Sequence, residues 1–481
     1  MIASGFPVYR GDLRYHCLGC QQEYPGDELH YTCPECGGVF LLRDHNFPEL
    51  KKVSGEKWRT LFDARAASKT TALRGIFRFY ELIAPIFREQ DIVYLGEGNT
   101  PIIYASDRLR KNVGQNLAFK NDGQNPSASF KDRGMACAFS YLGRLVREKN
   151  WDQVVAICAS TGDTSASAAL YAAYADNRIK SVVLLPQGKV TSQQLSQPLG
   201  SGALVIELPG VFDDCMRVVE FLADNFKVAL LNSKNAWRIL GQESYAFETA
   251  QWLDWDMQNT ALFVPIGNAG NITAIMSGFL KLKDLGLITV LPRIFGVQSR
   301  HADPVFRYYQ QKPEKRSFAP VQVSPSVAQA AMIGNPVSFP RVRDLAGIYE
   351  KVQGRGTFNV VQVEEQAIIE SMLLANQNGH IACTQGGECL AGLMRARELG
   401  LMDKKELAIL DSTAHALKFS NFQEMYFSSS FPSGYDIVPQ EEYINRPKQI
   451  LSEKEKEGMS AEEFTRAAVE KVIRVLGLNS N

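Results

Sequence analysis

The sequence has no apolar run approaching the roughly 20 residues a helix needs to cross a bilayer, which excludes a helical membrane span. It has no excess of either charge. Its 52 Lys and Arg balance 52 Asp and Glu, so no basic face is available for nucleic acid or an anionic membrane. It contains no internal repeat and no low-complexity tract. Met1 to Arg14 lacks the basic start and apolar centre of a secretory leader, which points to a cytoplasmic protein. The cysteines do not form a disulfide framework: there are nine, an odd number, and Cys137, Cys158, Cys215, Cys383 and Cys389 are scattered through apolar surroundings. That usage indicates reduced thiols, with Cys137 and Cys158 as small core residues. What is present is an ordinary globular balance, 45% hydrophobic and 22% charged, in 481 residues, enough for two or three domains.

The other four cysteines are clustered. Cys17-x-x-Cys20 and Cys33-x-x-Cys36 are separated by twelve residues, with Gly19 and Gly37-Gly38 supplying tight turns. Four thiolates complete a tetrahedral zinc ion and leave no open position, so such a site is structural. Residues 1–45 are too few to fold on an apolar core alone, and the metal supplies the folding energy. Two disulfides or four free thiols are the alternatives, and a reducing compartment favours the metal. His16 and His30 read as solvated loop residues. Residues 46–94 read as a helical packing segment, with Trp58, Leu61, Phe62, Phe77, Tyr80 and Ile83 at helical spacing. From 431 to 481 a polar tail ends in a helix. Ser460-Ala461-Glu462-Glu463 forms a capping box, and Phe464, Ala468, Val472 and Val475 form one apolar face that must pack on this subunit or another.

Between them, residues 95–430 alternate short β-rich runs with helical ones. The strands are predicted at 117–120, 154–159, 182–185, 204–208, 262–266, 294–297, 359–363 and 407–410, with helices such as 165–175, 213–223, 245–253, 271–285 and 364–376. This pattern predicts an α/β fold with largely parallel sheet covered on both faces, in two lobes, the smaller over about 125–235. Ligands in such folds sit beyond the carboxyl ends of strands, so the loops that follow strands are the ones to inspect.

Four such segments carry chemistry. In Pro126-Ser127-Ala128-Ser129-Phe130-Lys131-Asp132-Arg133-Gly134, Ser127 or Ser129 can cap a helix, which puts Lys131 in or near its first turn. The macrodipole is positive there and lowers the amine pKa, as a nucleophilic lysine requires. Taken alone, the segment reads as a surface lysine beside Asp132, and the loops that follow overturn that reading. Ala159 to Ser167 offers hydroxyls and free N–H groups ahead of a helix, either as an anion site or as a capped helix. Gly267-Asn268-Ala269-Gly270-Asn271 is a phosphate cup between strand and helix, and is neither a Walker loop nor a dinucleotide fingerprint. In Asp411 to Phe419 a hydroxyl can hydrogen-bond a heterocyclic nitrogen, while His415 reads as structural. An amine, a phosphate cup and a hydroxyl for a ring nitrogen are what a protein needs to hold pyridoxal phosphate.

At these residues the sequence resembles the threonine synthases. The likeness covers most of 90–425. It rests on Gly-Glu-Gly-Asn-Thr-Pro at 96–101, Ser129-Phe130-Lys131-Asp132, Ser160-Thr161-Gly162-Asp163-Thr164, Asn232-Ser233 with Arg238, the cup at 267–271, Ile333-Gly334-Asn335-Pro336-Val337 and Ser412-Thr413-Ala414-His415-Ala416-Leu417-Lys418-Phe419. Some members also carry a cysteine-rich N-terminal ribbon. The resemblance implies the two-lobed, tryptophan-synthase-β-like fold type II of pyridoxal enzymes. The implied reaction turns O-phospho-L-homoserine and water into L-threonine and phosphate, the last step of threonine biosynthesis, in a homodimer. It implies that Lys131 binds the cofactor and moves protons at Cα and Cβ. It gives Gly267, Asn268, Ala269, Gly270 and Asn271 to the cofactor phosphate and Thr413 to the pyridine nitrogen. It gives Ser160, Thr161 and Thr164 to the substrate carboxylate, and Ser233 and Arg238 to the substrate phosphate. Asp163 stands where related enzymes often place Asn near the cofactor's 3'-oxygen. The alternative is a related elimination or replacement enzyme, a serine/threonine dehydratase or a phosphoserine-using synthase. Arg238, as a γ-phosphate group, counts against the dehydratase.

Overall fold

A computed structural model describes residues 6–7, 11–160, 162–188, 192–210 and 212–478. Its strands are β1 (Leu13–Cys17), β2 (Glu23–Pro25), β3 (Phe40–Asp44), β4 (Ile102–Tyr104), β5 (Asn116–Asn121), β6 (Val154–Ala159), β7 (Ile179–Pro186), β8 (Leu204–Leu208), β9 (Val228–Leu230), β10 (Thr260–Pro265), β11 (Arg293–Ser299), β12 (Phe358–Val363) and β13 (Leu407–Ser412). They form three sheets, ordered β2-β1-β3, β12-β11-β10-β13-β5-β4 and β8-β7-β6-β9. The first is antiparallel and carries the clustered cysteines. The third is parallel throughout. In the second, only β4 runs antiparallel, on an edge where Ile103 and Tyr104 face solvent.

All eight strands predicted in the α/β region are present. β10, Thr-Ala-Leu-Phe-Val-Pro, is buried at every position, as a central strand covered on both faces must be. β4 and β9, three residues each, are too short to raise a periodic signal.

Two glycines bring the functional helices together. A Cβ on Gly134 would lie 2.9 Å from the Arg238 carbonyl oxygen, and one on Gly241 would lie 2.3 Å from that of Arg133. The helices Lys131–Glu148 and Ala236–Gln242 therefore touch backbone to backbone, which a larger residue at either position would prevent. Below the first turn, Arg133 donates from Nε to Asp122 at 2.7 Å and from Nη2 to Glu248 at 2.8 Å. Lys120 Nζ also reaches Glu248, at 2.9 Å. All four side chains are buried.

Two expectations change, and the C-terminal helix is mostly exposed on this chain. Neither Ser127 nor Ser129 caps the Lys131 helix. Its N-cap is Phe130, and the Asp132 carboxylate reaches back to accept from the Ser127 N–H and Oγ, both at 2.6 Å. The serine is thus held by a first-turn acid whose charge faces the positive helix end. His16 is buried in β1, bonded to Gln21 and beside Glu23, because the strand turns it beneath the hairpin. The C-terminal helix Ala461–Leu476 has the capping box but buries none of its residues. On that face Phe464 and Ala468 are half-buried, Phe464 under Lys456, while Val469, Val472, Ile473 and Val475 stay exposed.

Candidate active site

The cleft lies at the carboxyl ends of β5, β10 and β13, which are neighbours in the large sheet, and of β6 in the small one. It encloses about 600 Å³ of space open to solvent, and Lys131, Asp163, Ser233, Arg238, Gly267 to Asn271 and Thr413 all line it. Sequence positions spread over nearly 300 residues meet there because each follows a strand.

Lys131 is the first residue of its helix, with its amine 4.1 Å from the centre of the Phe130 ring. Burial pushes its pKa down to about 7, and Arg238 pushes the same way; Asp163 and Asp411 oppose them. The Thr413 segment is stitched to it. Phe130 N–H donates to the Thr413 carbonyl at 2.8 Å, His415 N–H donates to that of Ala128 at 3.0 Å, and Ser129 bridges Ala414. Ala128 takes a left-handed φ of 64° to make this turn. Thr413 is buried, its hydroxyl 3.6 Å from Cys383 Sγ.

The cup follows β10. Ala269, at φ 63°, turns the chain into the helix Gly270–Asp284. A Cβ on Gly267 would lie 2.9 Å from Ala331 Cα, so only glycine lets this loop lie against that backbone. Asn271 donates to Asp411 at 2.6 Å. Burial, then Asp122, raises the Asp411 pKa well above the carboxylate range. A tight loop, a helix N-terminus and no fixed negative charge suit a phosphate.

Arg238 is buried to 2% exposure. Its Nη1 donates to the Leu231 carbonyl at 2.7 Å, its Nε has no protein partner, and among the described residues no carboxylate pairs with it. Burial lowers its pKa to about 10. A buried guanidinium with a spare donor and no counter-ion is prepared for an anion. Asn235 sets its position by capping the helix, its Oδ1 accepting from Trp237 and Arg238 N–H.

Asp163 begins the helix Asp163–Tyr174 and pairs with Lys418 Nζ at 3.0 Å, so a cation accompanies this carboxylate at the cleft. Ser160 and Thr164 flank it, partly buried, outside the cleft lining. Thr161 lies outside the described residues. The sequence did not single out Gln385, which lines the cleft with both side-chain polar atoms unpartnered, nor Lys418 for its pairing. Lys418 lay in a quoted motif and could have been flagged as the cation nearest Asp163. Gln385 follows a loop with no motif and left no signal.

The cysteine cluster is compact. The sulfurs of Cys17, Cys20, Cys33 and Cys36 lie within 4.8 Å of one another, where a tetrahedral zinc site would set them about 3.8 Å apart. A Cβ on Gly19 or Gly38 would come to 2.9 Å from Cys36 or Cys17 Sγ, respectively, so both glycines make room for sulfur. The donor set suits zinc.

The fold and site define a pyridoxal-phosphate dependent enzyme: the sequence profile of that family, "Pyridoxal-phosphate dependent enzyme", matches residues 93–411. The chain is 36% identical to the threonine synthase of Methanocaldococcus jannaschii over 404 residues, 84% of this chain and 92% of that one. It is 34% identical to the chloroplastic threonine synthase 2 of Arabidopsis thaliana over 412 residues, 85% and 77% of the two chains. In fold it is similar to the crystal structure of threonine synthase from Escherichia coli, with a TM-score of 0.61 at 19% identity, covering 88% of this chain and 94% of that one. The chain belongs to the threonine synthase family.

Proposed function

We propose that the protein converts O-phospho-L-homoserine and water to L-threonine and phosphate. The carrying observation is Arg238, a buried cation that pairs with no carboxylate among the described residues, on the same cleft wall as a low-pKa lysine. A dehydratase substrate, which has no phosphate, would leave that charge unmatched.

Lys131 would hold pyridoxal phosphate, Gly267 to Asn271 its phosphate, and Asp163 would face its 3'-oxygen. When bound, the cofactor supplies an electron-withdrawing ring that stabilises negative charge on the substrate carbon beside the amino group. Thr413 offers the ring nitrogen a neutral hydroxyl, which does not protonate it and so favours elimination over transamination. In its neutral form Lys131 Nζ would take a proton from substrate Cα and one from Cβ, and protons would return at Cγ, which becomes the methyl, and at Cα. Ser160, Thr161 and Thr164 hold the substrate carboxylate, and Arg238 with Ser233 the phosphate that leaves as the Cγ–O bond breaks. Water adds at Cβ.

The Cys17, Cys20, Cys33 and Cys36 module over 1–45 holds one structural zinc ion. Residues 46–94 pack against the catalytic region 95–430, whose smaller lobe spans about 125–235, and the tail over 431–481 is helical. The protein is a cytoplasmic homodimer, and the exposed apolar face of the C-terminal helix fits a contact between subunits.

The test is phosphate release from phosphohomoserine with and without added pyridoxal phosphate. Turnover that needs the cofactor and is lost in Lys131→Ala supports the assignment. Faster turnover of serine, threonine or phosphoserine would hand it to the dehydratase or phosphoserine-using alternative.

A further inference from the structure

The cysteine module reaches the wall of the cleft. Tyr15 Oη, two residues from Cys17 on β1, accepts from Trp237 Nε1 at 2.8 Å, and Trp237 directly precedes Arg238. Trp237 is also stacked on Tyr141, with ring centres 4.0 Å apart.

A second link is stronger. Arg341, on the helix Phe339–Gln353, is fully buried and, among the described residues, pairs with no carboxylate. Its guanidinium instead donates to neutral oxygens on separate segments. Nε reaches the Phe40 carbonyl at 2.8 Å, Nη1 the Ser233 carbonyl at 2.9 Å and Ser338 Oγ at 2.8 Å, and Nη2 the Lys234 carbonyl at 2.9 Å. Phe40 stands opposite Cys17 in the β1–β3 register. Ser338 N–H donates to the Asn268 carbonyl, within the cofactor cup, at 3.2 Å. One side chain thus ties the cysteine module to the segment that carries Ser233 and, through Ser338, to the cup.

A buried charge with no counter-ion is a poor source of stability, since apolar replacements are often neutral or better. Its rigid planar fork can, however, hold oxygens on separate segments in fixed directions, whereas an ammonium's three donors rotate freely on a flexible stem.

We propose that Arg341 is a positioning residue for the substrate phosphate, and that through it the cysteine module forms the back wall of that subsite. This rests on the proposed assignment of Ser233 and Arg238 to phosphate. Arg341 holds the carbonyls of Ser233 and Lys234 in place, so the Ser233 hydroxyl and the start of the Arg238 helix keep their spacing. Displacement by an ångström at such a site is enough to weaken recognition severely.

The experiment uses the holoenzyme with Arg341→Lys and Arg341→Met, and inorganic phosphate as the probe. In both variants KM for phosphohomoserine and Ki for phosphate should rise about tenfold or more, while kcat stays within about threefold and the visible spectrum of the bound cofactor is unchanged. Wild-type KM and Ki in either folded variant would overturn the proposal, since the fork is what it rests on. If neither variant folds, Tyr15→Phe loosens Trp237 from the module side; a raised Ki supports the wall, and an unchanged Ki removes it. Phosphate binding is also read in each protein by tryptophan fluorescence. A wild type that neither turns over phosphohomoserine nor binds phosphate overturns the subsite itself. A wild type that binds phosphate as Arg341→Met does overturns only the role of Arg341.

Discussion

Titration of the Lys131 amine before cofactor is added tests the electrostatics of the cleft. An ordinary lysine, at 10.5, is neutral at pH 7 in only about 3 molecules in 10,000. With its pKa pushed down to about 7, half of the Lys131 amines are neutral. At equal intrinsic nucleophilicity this is roughly a thousandfold more reactive amine. Protonation blocks attack on an aldehyde, so capture of pyridoxal phosphate by the apoprotein should climb about tenfold per pH unit below 7 and level off above it. Stopped-flow absorbance between pH 5.5 and 9.5 measures this. A midpoint near 10 would refute the electrostatic account. Burial is the largest cause and Arg238 the next, so Arg238→Met should move the midpoint upward. An unmoved midpoint would mean that the guanidinium does not act on the amine. The linkage has a definite sign: the unfolded chain binds more protons between about 7 and 10.5, so this group makes the apoprotein more stable as pH rises through that window.

Further outcomes follow from other parts of the molecule. Arg133→Met leaves Asp122 and Glu248 buried beside too little positive charge, and urea unfolding should show a loss of about 3–5 kcal/mol. Gly267→Ala drives a Cβ into the Ala330–Ala331 backbone; overpacking of about 1–3 kcal/mol should weaken pyridoxal phosphate binding roughly tenfold in an equilibrium titration. Burial raises the Glu97 pKa to about 8, against hydrogen bonds from Tyr171 Oη and Leu95 N–H. A raised acid favours folding while protonated, so its contribution falls as pH rises from 4.5 to about 8 and is flat above; Glu97→Gln should remove that part of the slope in thermal midpoints at pH 6 and 8. Gly38→Ala puts a Cβ 2.9 Å from Cys17 Sγ and 3.2 Å from Cys36 Sγ, and metal analysis should find less than one zinc per chain.

The sequence alone determined the elements whose cause is local. The eight strands of the α/β region were legible as short β-rich apolar runs, continuous where a strand is covered on both faces, as β10 is, and still legible in β8 on an exposed edge. The loop at 267–271 was legible as a turn from strand to helix because its glycines mark one. The capping box at 460–463 needs four residues and formed as read. The cap of the Lys131 helix was misread because Ser127 gives its N–H and hydroxyl to Asp132, the second helical residue, a choice that depends on geometry. The tertiary structure alone decided what long-range contact decides. It set Arg238 against the Lys131 helix through two glycines about a hundred residues apart. It gave Asp163 its partner in Lys418, and it buried Arg341 among carbonyls of the cysteine module and the cleft wall. A charged side chain looks the same in any sequence. Whether it meets water, a carboxylate or nothing depends on which distant backbone folds over it, and that sets its chemistry.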